Sequence, residues 1–193
     1  MEEYNLNSHD YILFMKSFIH SPKNVGSIIP SSRFLASNMV NHAPWLEAKA
    51  VAELGSGTGA ITRYIYNQVQ DSTKVLLFEM DEIMRNNLQR TYPESSCFPN
   101  AARLVDSMKL ENIQQLDVIF SGLPFFNFEP ELRKTLVDQI YKALKPGGLF
   151  IAFQYSLQMK KTLAEHFDIE KIDFVPLNFP PAFVYVCRKK ERI

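Results

Sequence analysis

Short apolar segments alternate with amphipathic ones along the chain from about residue 50 onward. The apolar segments are rich in β-branched and aromatic residues, which is typical of buried strands. They predict strands at residues 50–54, 74–79, 96–99, 116–121, 149–155, 169–175 and 182–188. Apolar positions spaced three and four apart predict helices at residues 60–69, 81–91, 131–144 and 157–166.

The order of these elements predicts a doubly wound α/β fold. Strands that are apolar throughout are buried on both faces, so helices must cover each side of the sheet. A strand, a helix and a second strand in succession form a right-handed crossover, which makes the sheet mostly parallel. No helical segment separates the last two predicted strands, so we expect an antiparallel hairpin around residues 178–181.

The region before residue 50 predicts helices instead of strands. The first helix begins at Asn7 or Ser8, ends before Pro22 and has one strongly apolar face. That face carries Tyr11, Phe14, Met15 and Phe18. A second helix begins at a serine cap, Ser31 or Ser32, and runs to about residue 42.

Length and charge narrow the class of protein. A chain of 193 residues suits a single domain. Basic and acidic residues number 21 each, so the formal net charge is zero. Zero net charge argues against a protein that binds long nucleic acid through charge alone. The acidic start lacks the beginning of a signal peptide, and no apolar run approaches the roughly 20 residues of a spanning helix. We therefore expect a cytoplasmic protein whose membrane contact, if any, is peripheral.

The two cysteines do not predict a metal site. Cys97 and Cys187 have no Cys or His nearby at metal-ligand spacing. We expect both to be free thiols, and we expect no bound metal.

A glycine-rich turn follows the first predicted strand, in Glu-Leu-Gly-Ser-Gly-Thr-Gly at residues 53–59. Glycines let the backbone turn tightly and approach a ligand at the carboxyl end of a strand. Glu79 ends the next strand, where a carboxylate accepts hydrogen bonds from ribose hydroxyls. An NAD-binding domain shares this arrangement, and a turn without any ligand is a further alternative.

The same segment resembles the first motif of class I methyltransferases. The resemblance implies a mostly parallel, Rossmann-like sheet of seven strands that ends in an antiparallel hairpin, with S-adenosylmethionine as the cofactor. It implies that the turn holds the methionine part of the cofactor, that Glu79 binds the ribose and that Met80 lies beside the adenine. The residues of the turn so assigned are Glu53, Gly55, Ser56, Gly57, Thr58 and Gly59.

Asn100 and Ala101 stand where the family often has Asp-Ala beside the adenine amino group. Asn is a departure, but its amide oxygen can still accept a hydrogen bond from that amine. The resemblance thus implies one domain over residues 1–193. Residues 1–49 would form a helical lid or substrate region, and residues 50–193 a cofactor-binding core.

A closer resemblance, covering nearly the whole chain, is to bacterial phospholipid N-methyltransferases, which convert phosphatidylethanolamine into phosphatidylcholine. Three segments carry it, at residues 18–33, 121–128 and 177–182. The rRNA adenine dimethylases are more distant relatives with Asn-Leu-Pro-Tyr or Asn-Leu-Pro-Phe at the second segment. This chain has Gly122-Leu123-Pro124-Phe125 there, without the leading Asn.

The second segment predicts the side that receives the methyl group. Backbone carbonyls of the turn Ser121-Gly122-Leu123-Pro124 can accept hydrogen bonds from an amine held next to the glycine turn. The rings of Phe125, Phe126 and Tyr155 can line the site and favour a positive nitrogen. The phenylalanines have core packing as their alternative role, and no residue stands out as the base.

The first and third segments predict contacts to the acceptor. Pro30-Ser31-Ser32-Arg33 opens a helix, whose free N–H groups and arginine fork suit a phosphate. A serine cap beside a solvated Arg33 is the alternative. Asn178, in the third segment, is also assigned as a residue that binds the acceptor. The first helix can lie on a bilayer surface or fold over the cofactor as a lid.

These observations predict a methyltransferase that acts on the amine of a phospholipid headgroup. An RNA adenine or small-molecule methyltransferase on the same scaffold is the first alternative. A cofactor-binding protein without catalytic activity is the second. The expected partners are S-adenosylmethionine and a phospholipid or membrane surface, with nucleic acid less favoured.

Overall fold

The computed structural model describes residues 32–190. Its helices are α1 (Arg33–Val40), α2 (Thr62–Tyr66), α3 (Glu82–Thr91), α4 (Leu104–Leu110), α5 (Pro130–Ala143) and α6 (Lys160–His166). Its strands are β1 (Ala50–Leu54), β2 (Lys74–Phe78), β3 (Ser96–Phe98), β4 (Leu116–Ser121), β5 (Leu144–Gln154), β6 (Phe167–Val175) and β7 (Ala182–Lys189). Two 3-10 turns, Ala101–Arg103 and Phe125–Asn127, follow β3 and β4.

The strands form one sheet in the order β3-β2-β1-β4-β5-β7-β6. Strands β1 to β5 are parallel, and β7 runs antiparallel to both β5 and β6. The predicted fold, a mostly parallel sheet with a C-terminal antiparallel hairpin, is confirmed. The strand order changes direction between β1 and β4, and ligands bind in open α/β sheets at the carboxyl ends of such strands.

The sheet is covered on both faces, as its apolar strands require. All residues of β1 are buried. Val51 belongs to a buried cluster on one face that also contains Leu35 and Met39 of α1. On the other face Phe150 is fully buried, and α5 contributes the buried side chain of Ile140. Helix α1, predicted as part of the N-terminal region, is therefore part of the core.

Both ends of α1 are fixed by side chains. Ser32 is its N-cap, with the Oγ accepting a hydrogen bond from the N–H of Leu35. Near the other end, the Nδ2 of Asn38 and the Nε2 of His42 lie 3.1 and 2.9 Å from the same carboxylate oxygen of Asp173 on β6. These contacts join α1 to the last hairpin of the sheet.

Polar contacts hold together the side of the sheet at which the central parallel strands begin, which we call its amino edge. One oxygen of Asp117, on β4, accepts hydrogen bonds from the N–H groups of Lys49 and Ala50 at 2.7 and 2.9 Å. Its other oxygen pairs with the ammonium of Lys145 at 2.5 Å. A surface depression at this edge includes Asp117, Lys145 and Arg188 in its lining. It lies at the opposite end of the strands from the glycine turn.

Some element bounds differ from the prediction. Helix α4 was not predicted, because its buried positions include Ser107, which interrupts the apolar period. Strand β5 begins at Leu144, earlier than predicted, because Leu144 pairs with Leu116 before a register shift. The predicted first helix lies outside the described residues, as does Ser31. Within residues 32–190, no helix is long and apolar enough to cross a membrane.

Candidate active site

The glycine turn is fastened to the neighbouring strand. The N–H groups of Gly55 and Ser56 both donate to the carbonyl of Phe78, at 2.8 and 3.0 Å. Gly55, Gly57 and Gly59 all have positive φ, a backbone conformation that side chains rarely adopt. The turn therefore has a fixed shape at the carboxyl ends of β1 and β2.

The three glycines differ in what faces them. A Cβ at Gly55 would lie 2.9 Å from the side chain of Leu123, and one at Gly59 would lie 3.1 Å from Leu88. A Cβ at Gly57 would meet nothing within 4 Å. Gly55 and Gly59 thus serve close packing, whereas Gly57 borders open space. This is the part of the turn that a ligand can approach.

Glu79 lies against that open side of the turn. One oxygen of its carboxylate accepts a hydrogen bond from the N–H of Gly57 at 2.7 Å, and the other accepts from the N–H of Asp81 at 2.9 Å. The residue is 8% exposed. Each oxygen keeps a lone pair, so the carboxylate can still accept hydrogen bonds from a ribose. Met80 follows, and its carbonyl is held by Arg85.

Glu53 is a second acidic residue beneath the turn. It is 1% exposed, and its carboxyl accepts a hydrogen bond from the Thr62 hydroxyl at 2.6 Å. The pKa of Glu53 is raised to about 8, chiefly by burial and to a smaller extent by the nearby Glu79, with Thr62 and Ser56 acting in the opposite direction. Sequence reasoning did not identify Thr62, which begins the helix after the turn.

Asn100 and Ala101 lie at the end of β3. The side-chain oxygen of Asn100 accepts a hydrogen bond from the N–H of Ala102 at 2.9 Å and so caps the short 3-10 turn. Its second lone pair is the one that an adenine amine can use. Ala101 is buried, and Thr58 is exposed at the tip of the glycine turn.

The predicted acceptor turn lies beside the glycine turn. The N–H of Gly122 donates to the carbonyl of Leu54 at 2.9 Å, and a Cβ at Gly122 would lie 3.2 Å from the carbonyl oxygen of Gly55. The hydroxyl of Ser121 is buried and accepts from the N–H of Leu123. Only a glycine fits between these two segments without displacement.

The carbonyls of this turn are not equally available. The Leu123 carbonyl accepts from the side chain of Gln154 at 2.9 Å, and the Pro124 carbonyl accepts from the N–H of Asn127. The carbonyl of Gly122 accepts neither of these hydrogen bonds, so it is the most available of the three. Gln154 was missed by sequence reasoning, although a polar residue at the end of an apolar strand was a signal for it.

The two phenylalanines after this turn have different environments. The Phe125 ring is 1% exposed and packs edge-on against Phe128 and Phe150. The structure therefore places Phe125 in the core, which corrects the interpretation that its ring lines the acceptor site. The Phe126 ring is 47% exposed, with the guanidinium of Arg133 lying 5.6 Å from its centroid.

Asn178 connects several of the predicted substrate residues. It is 5% exposed, its side-chain oxygen accepts from the N–H of Ser32 at 2.9 Å, and its Nδ2 donates to the carbonyl of Pro180 at 2.7 Å. It also lies close enough to the hydroxyl of Tyr155 to lower the pKa of that group, against the larger effect of burial. The Arg33 guanidinium is exposed and lies over the ring of its neighbour Phe34.

Comparison with known proteins identifies the family. Residues 51–148 match the family described as Methyltransferase domain. An ornithine lipid N-methyltransferase from Singulisphaera acidiphila is 30% identical over 184 residues, which cover 93% of this chain and 96% of that protein. The chain belongs to the class I S-adenosylmethionine-dependent methyltransferases. Membership in this family excludes the alternative interpretation of the chain as an NAD-binding domain.

More distant similarities agree with this identification. Ribosomal RNA small subunit methyltransferase A from Thermotoga maritima is 24% identical over 191 residues, covering 89% of this methyltransferase and 64% of that protein. The crystal structure of Burkholderia thailandensis 1,6-didemethyltoxoflavin-N1-methyltransferase, with bound S-adenosylhomocysteine, superposes with a TM-score of 0.68 at 16% identity. The superposition covers 99% of this methyltransferase and 94% of that chain, so the two proteins have the same fold.

The structure fits the cofactor of the methyltransferase. Open space at Gly57 can take the methionine part, and the carboxylate of Glu79 beside it has lone pairs that can accept hydrogen bonds from a ribose. The acceptor turn at Gly122 directly adjoins the glycine turn. A methyl donor held by the first turn would therefore lie within reach of an amine held by the second.

Proposed function

We propose that this N-methyltransferase acts on the amine of a lipid headgroup, of the phosphatidylethanolamine type. The methyl donor would be held by Glu53, Gly55, Ser56, Gly57, Thr58, Gly59, Glu79, Met80, Asn100 and Ala101. The acceptor would meet Ser121 to Pro124, Tyr155 and Phe126, with Ser31, Ser32 and Arg33 near its phosphate. Asn178 would hold this side together instead of contacting the acceptor, because it is 5% exposed and its side chain bridges Ser32 and Pro180.

The observation that carries this proposal is a group of exposed apolar side chains around the acceptor turn, which we call the apolar rim. Each is between 42% and 73% exposed. The apolar rim consists of Phe34, Phe126, Tyr155, Leu157, Leu177 and Phe179. Contiguous exposed apolar surface next to a site is typical of a membrane or ligand contact.

Hydrogen bonds connect several of the segments that carry these side chains, which supports treating them as one surface. Asn178 joins the start of α1 to the hairpin turn that carries Leu177 and Phe179, and it lies near Tyr155. Gln154, next to Tyr155, binds the turn that precedes Phe126. The apolar rim therefore borders the point where an amine would approach the methyl donor.

Charge and chemistry also fit an amine at a lipid surface. Arg33 and Lys160 are exposed beside the apolar rim and can attract anionic headgroups. The exposed rings of Phe126 and Tyr155 favour a positive nitrogen. When bound, S-adenosylmethionine supplies a methyl group already activated on a sulfonium. The Gly122 carbonyl would orient the amine for in-line attack.

The amine must lose a proton before or during attack. Burial raises the pKa of Tyr155 above its ordinary value, although the nearby amide of Asn178 opposes the rise. Its hydroxyl therefore stays protonated at neutral pH and acts as a hydrogen-bonding group, not as the base. Water at the open site is the proton acceptor that the proposal needs.

The relatives support a lipid amine over RNA. The ornithine lipid enzyme matches along nearly the full length of both chains, whereas this chain spans 64% of the rRNA enzyme. Zero net charge and the absence of a leading Asn before Leu123 agree with that preference. Phosphatidylethanolamine and ornithine lipid both present a primary amine at a bilayer surface, so an experiment must separate them.

The proposal is tested by incubating the protein with labelled S-adenosylmethionine and four acceptors. These are vesicles with phosphatidylethanolamine, vesicles with ornithine lipid, total RNA and a mixture of small amines. We expect label in a lipid. Arg33→Ala should reduce transfer to phosphatidylethanolamine more than to free ethanolamine, which has no phosphate. Label in RNA or small amines without label in lipid would overturn the proposal.

A matched pair of variants tests the apolar rim. Leu177→Ser should reduce co-sedimentation with vesicles and transfer to lipid several-fold, while leaving cofactor affinity unchanged. Leu110→Ser is the control, because Leu110 is 75% exposed on α4, away from the apolar rim. Equal effects of the two substitutions would show that the apolar rim is not the lipid contact.

A further inference from the structure

Gln154 is a buried amide at the carboxyl end of β5, with only 6% of the residue exposed. Its Nε2 donates to the carbonyl of Leu123 at 2.9 Å and to the carbonyl of Phe153 at 2.6 Å. Carbonyl oxygens only accept hydrogen bonds, so the nitrogen of the amide has to face these two groups. The orientation of the amide is therefore fixed, and its oxygen is directed to the other side.

The side-chain oxygen of Gln154 has no hydrogen-bond donor among residues 32–190. A buried acceptor that stays unpaired costs free energy, so such groups nearly always have a partner. This oxygen is not one of the described side-chain atoms that are enclosed without a partner. Part of its surface is therefore open, and the donor that it needs can reach it from outside the protein.

The end of the sheet places this oxygen beside the acceptor turn. In the register of β4 and β5, Leu123 and Gln154 are matching positions two residues beyond the last pair. A Cβ at Gly122 would lie 3.4 Å from the ring of Phe153. The acceptor turn and the end of β5 thus touch at two consecutive positions. The next residue, Tyr155, is 51% exposed, so β5 ends at the surface here.

We infer that the side-chain oxygen of Gln154 accepts a hydrogen bond from an N–H of the amine that is methylated, which makes Gln154 a catalytic residue. Gly122 brings no side chain to the turn, so its carbonyl and the amide of Gln154 offer two neutral acceptors. A neutral primary amine has two N–H groups and one lone pair. Both N–H groups can be held while the lone pair faces the methyl donor. The inference rests on the proposed function only in taking the acceptor to be an amine.

The balance of the transfer gives this contact a consequence. The acceptor begins as an ammonium and loses one proton to water, which frees its lone pair. The lone pair forms the new N–C bond, the bond between the methyl group and the sulfur of the donor breaks, and the electron pair of that bond stays on the sulfur. Each transfer replaces one N–H by a methyl group. A tertiary amine has no N–H when its lone pair is free, so Gln154 assists the first two transfers and not the third.

Methyl transfer to two series of acceptors tests this inference. One series consists of vesicles with phosphatidylethanolamine, its N-methyl derivative or its N,N-dimethyl derivative. The other consists of ethanolamine with the same substitutions. Gln154→Met keeps the length of the side chain but removes the amide. We expect the loss of kcat/KM for the primary amine to exceed that for the tertiary amine roughly 3- to 10-fold, the range for one hydrogen bond between neutral groups.

A purely structural role of Gln154 predicts a different result. If the amide only held the carbonyl of Leu123, its removal would displace the acceptor turn and lower transfer to all three amines equally, which would overturn the inference. Gln115→Met is the matched control, because Gln115 is exposed directly before β4, and it should behave as wild type. The affinity for S-adenosylhomocysteine should be unchanged in both variants, since the hydrogen bonds of Gln154 do not involve the glycine turn.

Gln154→Glu gives a second readout that also decides the question if Gln154→Met fails to fold. It keeps an oxygen for the amine, but its negative charge favours the ammonium, which has no lone pair for attack. The pH dependence of transfer should therefore move upward by about 1 pH unit or more. An unchanged pH profile would overturn the inference.

The two series also keep this inference apart from the assignment of a lipid acceptor. Label in the small amines alone would overturn the lipid acceptor, and the graded losses within that series would then decide the role of Gln154. Label in neither series would overturn both, because the acceptor would then not be an amine of this kind.

Discussion

Glu79 uses both oxygens of its carboxylate as acceptors for backbone N–H groups. An amide at this position would turn an NH2 group towards one of those donors, so Glu79→Gln should be nearly as harmful as Glu79→Ala. We expect either to weaken binding of S-adenosylhomocysteine roughly 10- to 100-fold, the range for losing a hydrogen bond to a charged group. Isothermal calorimetry measures the dissociation constants.

Glu82→Gln is the matched control, because Glu82 is exposed three positions later. It should leave the affinity unchanged. If Glu79→Gln binds the ligand as wild type does in a folded protein, the ribose is held by another group.

Single residues show which parts of the site the sequence could predict. The glycine turn and Glu79 end adjacent parallel strands, so their contact follows from the order of elements alone. The contrast between Phe125 and Phe126 does not, because it depends on the 3-10 turn that rotates one ring inward. The bond between Ser32 and Asn178 joins positions 146 residues apart, and no local pattern encodes it.

At the scale of elements, Asp117 holds the starts of three strands. Burial alone would raise its pKa, but hydrogen bonds from Lys145 and from the N–H groups of Ala50 and Lys49 bring the pKa below its ordinary value. A lowered pKa means stability that is present above about pH 4 and is lost as the pH falls further. Asp117→Ala should therefore lower the free energy of unfolding by about 2–4 kcal/mol at pH 7.

Urea denaturation at pH 7 and pH 3.5 checks this expectation, and the gap between wild type and Asp117→Ala should narrow in acid. Asp106→Asn, an exposed residue of α4 that pairs with Lys109, serves as control and should have little effect. Cofactor affinity should not change, since Asp117 lies at the opposite edge from the glycine turn. A gap that stays constant across this pH range would contradict the role assigned to the carboxylate.

Elements with a clear apolar period were predictable, and those without one were not. The bounds of β1 and β4 agree with the prediction because both strands are buried throughout and mostly apolar. Helix α4 was not predicted, because its buried face is short and includes a serine. The start of β5 was not predicted, because Pro146 and two glycines suggest a turn. The backbone at the start of this segment nevertheless pairs with β4.

For the whole molecule, ligand binding should appear as added stability. A ligand that binds only the folded state at 100 times its dissociation constant contributes about 2.7 kcal/mol. For a domain of this size that corresponds to a rise in Tm of roughly 5–10 °C. S-adenosylhomocysteine should give this rise in a thermal-shift measurement, and NAD at the same concentration should give none. A shift with NAD instead would contradict the assigned cofactor.

The polar contacts that hold the sheet lie at its amino edge, where Asp117 meets Lys145 and where Lys189 donates to the carbonyl of Leu144. The segments proposed to receive the acceptor are loops at the other edge, at residues 122–128 and 176–181. Exchanging the exposed positions of these loops, such as Phe126 and Leu177, can therefore change the contacts to the acceptor while the contacts at the amino edge stay intact. The same separation lets descendants of one ancestral gene diverge in what they methylate while inheriting an unchanged scaffold.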